Sequence, residues 1–410
     1  MSSPTSNHRA LDGLIVADFT RVLAGPVATM VLGDLGADVI KVERPGSGDD
    51  TRMWGPPWHG GTSTYYQGVN RNKRSIALDL ADDADAELAR RLATRADVLV
   101  ENFRPGTMHR WGLGYDDVRD GNPGLVYCTI SGFGSQGPGA AMPGYDLLVQ
   151  ATGGMMSING QPGTPPTKMP IALFDKIAGL YAVTGILAAL RVREESGRGQ
   201  NLEVSLVDTG LASLLNVGSS HLLAGAVAEK MGNRHPSIAP YQSYRASDGD
   251  VVLAGGSEQI WARTCQVIDR PDLVDHPDFA TNKDRVANID RLETELEIAL
   301  STRTAGEWVV LFLAAGVPAA QVNSVAEAFA FADELERDLV VSTPMADGAA
   351  FLSTRSPIRL SDTPVDVRAA PPSLGEHDDE LRAWLRADPA DDNRRSRKKC
   401  LLAGPFDTQC

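Results

Sequence analysis

The chain has 410 residues, 42% hydrophobic and 22% charged, a composition ordinary for a globular protein with room for two or three full cores. Its formal net charge of -14 argues against general nucleic-acid binding. It holds no run of eighteen or more apolar residues, so no transmembrane helix is expected.

Residues 1–10 read as a disordered leader, and MSSPTSNHRA lacks the apolar core of a signal peptide. LIVADF (14–19) reads as a buried strand, PVATMVLGDLG (26–36) as a helix started by Pro26, and ADVIKVE (37–43) as a second strand. Further units follow: SIALDL (75–80), the helix 83–96, DVLVENF (97–103) and LVYCTIS (125–131). This strand–helix–strand alternation predicts a doubly wound α/β domain over 11–225. Ligands in such sheets bind outside the carboxyl ends of the strands, where Arg21, Arg44, Asn102 and Gly132 fall. GFGSQG (132–137) spells a dinucleotide fingerprint, but Pro138 and Gly139 follow it and no long helix starts there, so the required context is missing.

Residues 209–225 read as another apolar helix. A hairpin turning at Asp248-Gly249, helices near 257–268, 284–300 and 304–315, and a strand near 318–322 predict a smaller α+β domain over 226–330. Residues 339–365 read as extended and 374–385 as a last amphipathic helix. From Asp388 the chain is poor in apolar residues and contains RRSRKK, which reads as a disordered tail. Cys128, Cys265, Cys400 and Cys410 form no CxxC pair, and the seven histidines form no HExxH. A cytoplasmic protein without a metal is the expectation. The basic residues Lys41, Arg44, Arg52, Arg71, Lys73, Arg74, Arg104 and Arg110 crowd the N-terminal quarter, where together they could receive a phosphorylated small molecule.

The stretch Pro165–Asp208 organises the rest. After Asp175 comes a helix, in which Ile177, Leu180, Tyr181, Thr184 and Leu187 recur at helical spacing and predict the buried stripe. Small residues between them would let a neighbour approach closely. Arg191, Arg193 and Gly197 end the helix, and the strand 201–206 follows. Asp175 is thereby expected at or just before the helix N-terminus. It reads as an N-cap, since Asp is among the best capping residues. It also reads as a nucleophile kept ionised by the helix dipole.

Read together, DFTRVLAGP (18–26), LGADVIKVERPGSGD (35–49), NRNKRSIALDL (70–80), ADVLVENFRPG (96–106), GYD (144–146), the Asp175 stretch and GNRHPSIAPYQ (232–242) resemble the family III CoA-transferases, the CaiB/BaiF and formyl-CoA transferase family, over about 11–385. The resemblance implies a Rossmann-like large domain to which the chain returns over 331–387, a small domain between, and two chains linked as interlocked rings in a homodimer. It implies acyl-CoA and a carboxylic acid as substrates, no metal, and no membrane or nucleic-acid partner. Asp175 takes the place of the acyl-accepting nucleophile. Val22, Leu23, Ala24, Arg44, Leu78, Asn102, Phe103, Arg104, Arg110 and Tyr145 take the places of the coenzyme A contacts. There are departures from the family pattern. Leu23 stands where formyl-CoA transferases have glutamine, Pro143 stands where they have a basic residue, and their glycine-rich loop is missing. Formyl and oxalyl groups are therefore not the expected substrates. The rival reading is an α-methylacyl-CoA racemase on the same scaffold. Those enzymes have histidine in a G-H-D motif where this chain has Tyr145, and a tyrosine does not replace a histidine poised near neutral pH. A CoA-binding sensor or scaffold, with Asp175 as a cap only, is the non-enzymatic alternative.

Overall fold

The computed structural model describes residues 8–346 and 348–388. Most of the expected leader and the tail beyond residue 388 lie outside the described residues. The chain forms two compact units. The first holds the described residues up to Met155, Met169–Leu223, and those from Leu339 on; the second holds Met156–Lys168 and Ala224–Asp338.

In the first unit six strands form one sheet: β1 (Ile15–Phe19), β2 (Asp38–Glu43), β3 (Lys73–Ala77), β4 (Val98–Glu101), β5 (Val126–Ser131) and β6 (Asn201–Ser205). Their order is β3-β2-β1-β4-β5-β6 and every neighbouring pair is parallel. The order reverses between β1 and β4, which makes the carboxyl ends of those two strands the expected ligand crevice. The helices that cover the sheet include α1 (Ala24–Asp34), α2 (Asp83–Arg95), α3 (Asp146–Thr152) and α4 (Leu173–Ser196). α1 begins two residues before Pro26, which the first turn tolerates because its missing N–H is one that a helix start leaves unpaired.

Alternation along β1 builds both cores. Ile15, Ala17 and Phe19 join Leu88 and Leu92 of α2 and Leu381 and Leu385 of the helix Asp378–Arg386. Val16 points to the opposite face, with Ala28 and Leu32 of α1 and Ala178, Ala182 and Ile186 of α4. A parallel sheet buried on both faces needs such two-sided cover.

α4 turns a different face inward from the one its larger side chains predict. Ala178, Gly179, Ala182, Val183, Ile186, Ala189 and Leu190 are buried, while Leu180 is 43% and Tyr181 49% exposed. The helix is apolar nearly all round, so periodicity could not choose a face. Close approach did: a Cβ on Gly179 would lie 2.7 Å from the Ala24 carbonyl oxygen of α1. α4 is long and apolar enough to cross a membrane by length and composition, yet here α1 and the sheet cover its small-residue face.

The second unit contains the hairpin Tyr241–Arg245/Asp250–Ala254, with Ala319–Gln321 antiparallel to its second strand. Helices Glu258–Val267, Ile289–Leu300 and Ala305–Ala314 pack Trp261, Leu292, Leu296, Trp308 and Phe312 against it. The expectation assigned 156–168 to the large domain. The structure gives it to the second unit, through bonds from Gly232 N to Gly160 O (3.0 Å) and from Lys230 Nζ to Thr164 O (3.1 Å). The helix Val325–Glu334, which straddles the expected boundary at 330, also belongs to that unit.

Candidate active site

α4 begins at Leu173, and its N-cap residue, Ala172, offers no side-chain bond. Asp175 is the third helical residue and does not cap the helix. Asp146, the first residue of α3, does that work: its Oδ1 accepts Phe174 N (2.8 Å) and Asp175 N (3.3 Å). Its other oxygen accepts from the Gln150 amide one turn on, and Gln150 Oε1 accepts Met169 N (2.7 Å). The first turn of α3 therefore fixes both the start of α4 and the segment entering it, and leaves the Asp175 side chain uncommitted to capping.

The dipole reading of Asp175 also needs correction. Burial, and after it the neighbouring Asp146 carboxylate, raise the Asp175 pKa to about 7. Near neutrality this group is a basic carboxylate sharing its proton with solvent, and not one held firmly ionised. Tyr65 stands in the same electrostatic neighbourhood. Burial, Asp175, Asp146 and Asp49 push its phenol up to about 12, so its O–H remains a donor at neutral pH. Trp54 meets the Tyr65 ring edge-on at 5.5 Å. Sequence reasoning missed Tyr65, which no motif marks, and Asp146, which stood in the GYD motif beside the residue compared. Asp146→Asn keeps an acceptor for the two N–H groups and removes the charge. It is expected to lower the Asp175 titration, though not back to the ordinary aspartate value because burial is the larger cause, read by carboxyl carbon NMR. Asp146→Ala should instead cost about 1 kcal/mol of stability through the lost cap.

At the switch point lies a cavity of about 370 Å³. Arg44, Leu78, Phe103 and Arg104, expected as coenzyme contacts, all line it, together with Thr107 and Trp111. Leu23 caps α1 without a side-chain bond and Ala24 opens that helix, after Val22, which has φ +69°. Asn102 does not reach into the cavity as a free ligand. Its amide grips Arg21, accepting from Arg21 N (2.8 Å) and donating to Arg21 O (2.7 Å). Arg110 does not line the cavity and donates to Thr107 Oγ1 (3.1 Å). Tyr145, 58% exposed, does not line it either.

Most of the basic cluster is spent on structure. Lys41, Arg52, Arg71 and Lys73 are buried against Asp49, Glu43, Asp34 and Asp18, at 3.0, 2.7, 2.6 and 3.0 Å. Arg74 pairs with Asp38 and Glu380. A buried charge requires such a partner. Burial alone would raise the Asp49 carboxyl; the Lys41 ammonium and the bonds from Thr51 outweigh it and hold Asp49 below the usual carboxylate range.

The GFGSQG loop is occupied by the protein itself. Glu203 accepts from Ser131 Oγ (2.7 Å), Ser135 N (2.6 Å) and Ser135 Oγ (2.8 Å). Gly132 crosses Gly144 so closely that a Cβ on Gly132 would lie 2.3 Å from the Gly144 Cα. The glycines permit a backbone crossing, and no long helix follows the loop, as the sequence suggested.

Known proteins resemble this chain in sequence and fold. Residues 11–378 match the description "CoA-transferase family III". Succinyl-CoA:glutarate CoA-transferase of Homo sapiens is 38% identical over 387 residues, 94% of this chain and 88% of that protein. Succinate–glutarate CoA-transferase of Agrobacterium fabrum is 40% identical over 396 residues, 94% of this chain and 98% of that protein. The crystal structure of a CaiB/BaiF family protein from Brucella suis superposes with a TM-score of 0.84 at 39% identity, covering 92% of this chain and 100% of that one. With the family description spanning nearly the whole parallel-sheet fold, and with these relatives, the chain belongs to CoA-transferase family III.

Proposed function

We propose that the protein moves coenzyme A from a dicarboxylic acyl-CoA, succinyl-CoA in the first instance, to a second dicarboxylic acid, with Asp175 as the nucleophile. The observation that carries this reading is a carboxylate free of capping duty and raised to about 7, hence more basic and more nucleophilic than an aspartate in water. The substrate class is supported by the activities for which the human and Agrobacterium relatives are named.

Asp175 attacks the thioester carbonyl, the C–S bond breaks, and an aspartyl–acyl anhydride and CoA thiolate form. The thiolate attacks the aspartyl carbonyl, releases the donor acid and leaves a β-aspartyl-CoA thioester. The acceptor carboxylate then attacks that thioester, giving a second anhydride and thiolate. Thiolate attack on the acceptor's carbonyl forms the new acyl-CoA and restores Asp175. The protonated Tyr65 phenol is available as a donor to the oxyanions of these steps. The cavity lined by Arg44, Phe103 and Arg104 suits an anionic nucleotide.

A panel of acyl-CoA donors against carboxylic acids, read by mass spectrometry, tests this. Succinyl-CoA with glutarate is expected to give glutaryl-CoA. No transfer to any acid, with fast α-proton exchange of a 2-methylacyl-CoA in D2O, would replace the reading with the racemase.

The same family resemblance supports an interlocked homodimer. The outward apolar face of α4, with Leu211 and Leu215 also exposed, is surface suited to burial against a second copy. Light scattering should find a dimer that does not separate on dilution; a folded monomer would refute this assembly.

A further inference from the structure

The loop that leaves β1, Thr20–Val22, is tied down at nearly every backbone polar group, and always by a side chain from elsewhere in the first unit or from the end of β1. Thr20 N donates to Asp18 (2.9 Å) and Thr20 O accepts from Lys41 Nζ (2.8 Å). Arg21 N and O are both held by Asn102. Val22 N donates to both oxygens of Asp49 (3.3 Å each). Val22 adopts φ +69°, a left-handed conformation costly for a β-branched residue and sustained only where surroundings enforce it. Behind the loop the ties are themselves braced. Lys41 Nζ meets Asp49 Oδ2 at 3.0 Å, Asp49 N donates to Glu43 (3.0 Å), and Lys73 Nζ meets Asp18 (3.0 Å). Lys41, Asp49, Asp18 and Lys73 are all buried.

A loop of three residues, Thr20 buried and Arg21 and Val22 half-buried, does not need four buried charges to be stable. Buried pairs are weak stabilisers compared with apolar packing of the same volume, and in some proteins their role is to fix one arrangement. This loop ends at the uncapped start of α1, and Thr20 and Arg21 line the switch-point cavity.

We infer that Lys41, Asp49 and Asn102 are positioning residues that hold Thr20–Val22 in its ligand-ready shape before coenzyme A arrives. Asn102 thereby moves from the set of coenzyme contacts to the set of supports. The ordering cost of the loop is met on folding, so less of the binding free energy is lost to it. The inference rests on the proposed CoA-transfer reading for the identity of the ligand, but not for the state of the loop.

The test uses the full chain and free coenzyme A. Lys41→Met with Asp49→Leu removes both charges together, leaves no unpaired ion and approximates the buried volume. In this double variant, hydrogen exchange of the peptide spanning 20–25 should quicken while the rest of the chain keeps its protection, and added coenzyme A should restore it. Calorimetric Kd for coenzyme A should weaken at least tenfold, and KM for acyl-CoA should rise more than kcat falls. A merely structural role would lower the melting temperature and leave Kd of the folded protein unchanged. Fast local exchange with an unchanged Kd, or unchanged local exchange, would overturn the inference. Should the double variant fail to fold, Asp49→Asn, which keeps one oxygen for Val22 N, should weaken Kd two- to fivefold; no change in Kd would overturn it equally. A wild-type protein that does not bind coenzyme A would instead sink the functional reading, and the exchange result would still report on the loop.

Discussion

Asp175→Asn is expected to lower the transfer rate at least about a thousandfold, because it removes the ionised oxygen proposed to form both covalent intermediates. The helix start should survive intact, since Asp146 and not Asp175 caps α4. The variant should even be more stable at pH 8. An aspartate raised from 3.8 to about 7 binds its proton more tightly folded than unfolded. Its favourable contribution is therefore complete below about pH 4 and is lost as pH rises through 7. An amide carries no such penalty. Discounted for solvent access, the gain at pH 8 is about 1–2 kcal/mol and should vanish toward pH 4. Wild-type kcat/KM should correspondingly rise with pH through about 7. Thermal melts at both pH values, with rates checked against deamidation back to Asp, decide the matter. A fully active Asp175→Asn enzyme would remove Asp175 from the chemistry.

Arg44→Ala is expected to weaken coenzyme A binding by about 1–2 kcal/mol, roughly five- to thirtyfold in Kd. The low end of the usual range for a charged contact applies for two reasons. The Arg44 side chain is 63% exposed, and its guanidinium already meets Ser47 Oγ (2.7 Å) and Asp50 (3.4 Å). An incoming phosphate must compete with Asp50, which also faces Arg21 at 3.7 Å. Asp50→Asn should therefore change affinity in the opposite sense, and both effects should shrink with added salt. Equal Kd values for Arg44→Ala and wild type would take Arg44 out of the site.

The sheet was legible because strands and helices alternate with clean local patterns. Ile15, Ala17 and Phe19 against Val16 already separate the two faces of β1. Asp175 was legible as a residue but not as a position. Its place inside α4 depends on Asp146, 29 residues earlier, taking over the cap. The buried face of α4 was misread because large apolar residues outweigh glycine and alanine in any pattern, whereas a backbone contact at Gly179 chose the packing. The basic cluster looked like a phosphate site because sequence shows charges without their partners; Asp18, Asp34, Glu43 and Asp49 neutralise half of it within the fold. Tyr65 carries no local signal, and only the folded chain brings it near Asp175 and Asp146. The assignment of 156–168 to the second unit rests on contacts with residues near 230 that no local pattern announces.

The crossing of Gly132 and Gly144 has a consequence for how this chain tolerates change. A side chain added to either glycine collides with the backbone of the other, with a Cβ at 2.3 or 2.5 Å from the facing Cα, so no neighbouring rotamer can give way. One strand of the crossing is anchored through Glu203 to β6, and the other runs directly into Tyr145 and Asp146. In a saturation scan both positions should therefore be among the least permissive of the chain. The side chains carried near this crossing can change far more freely than the two stretches of backbone that make it.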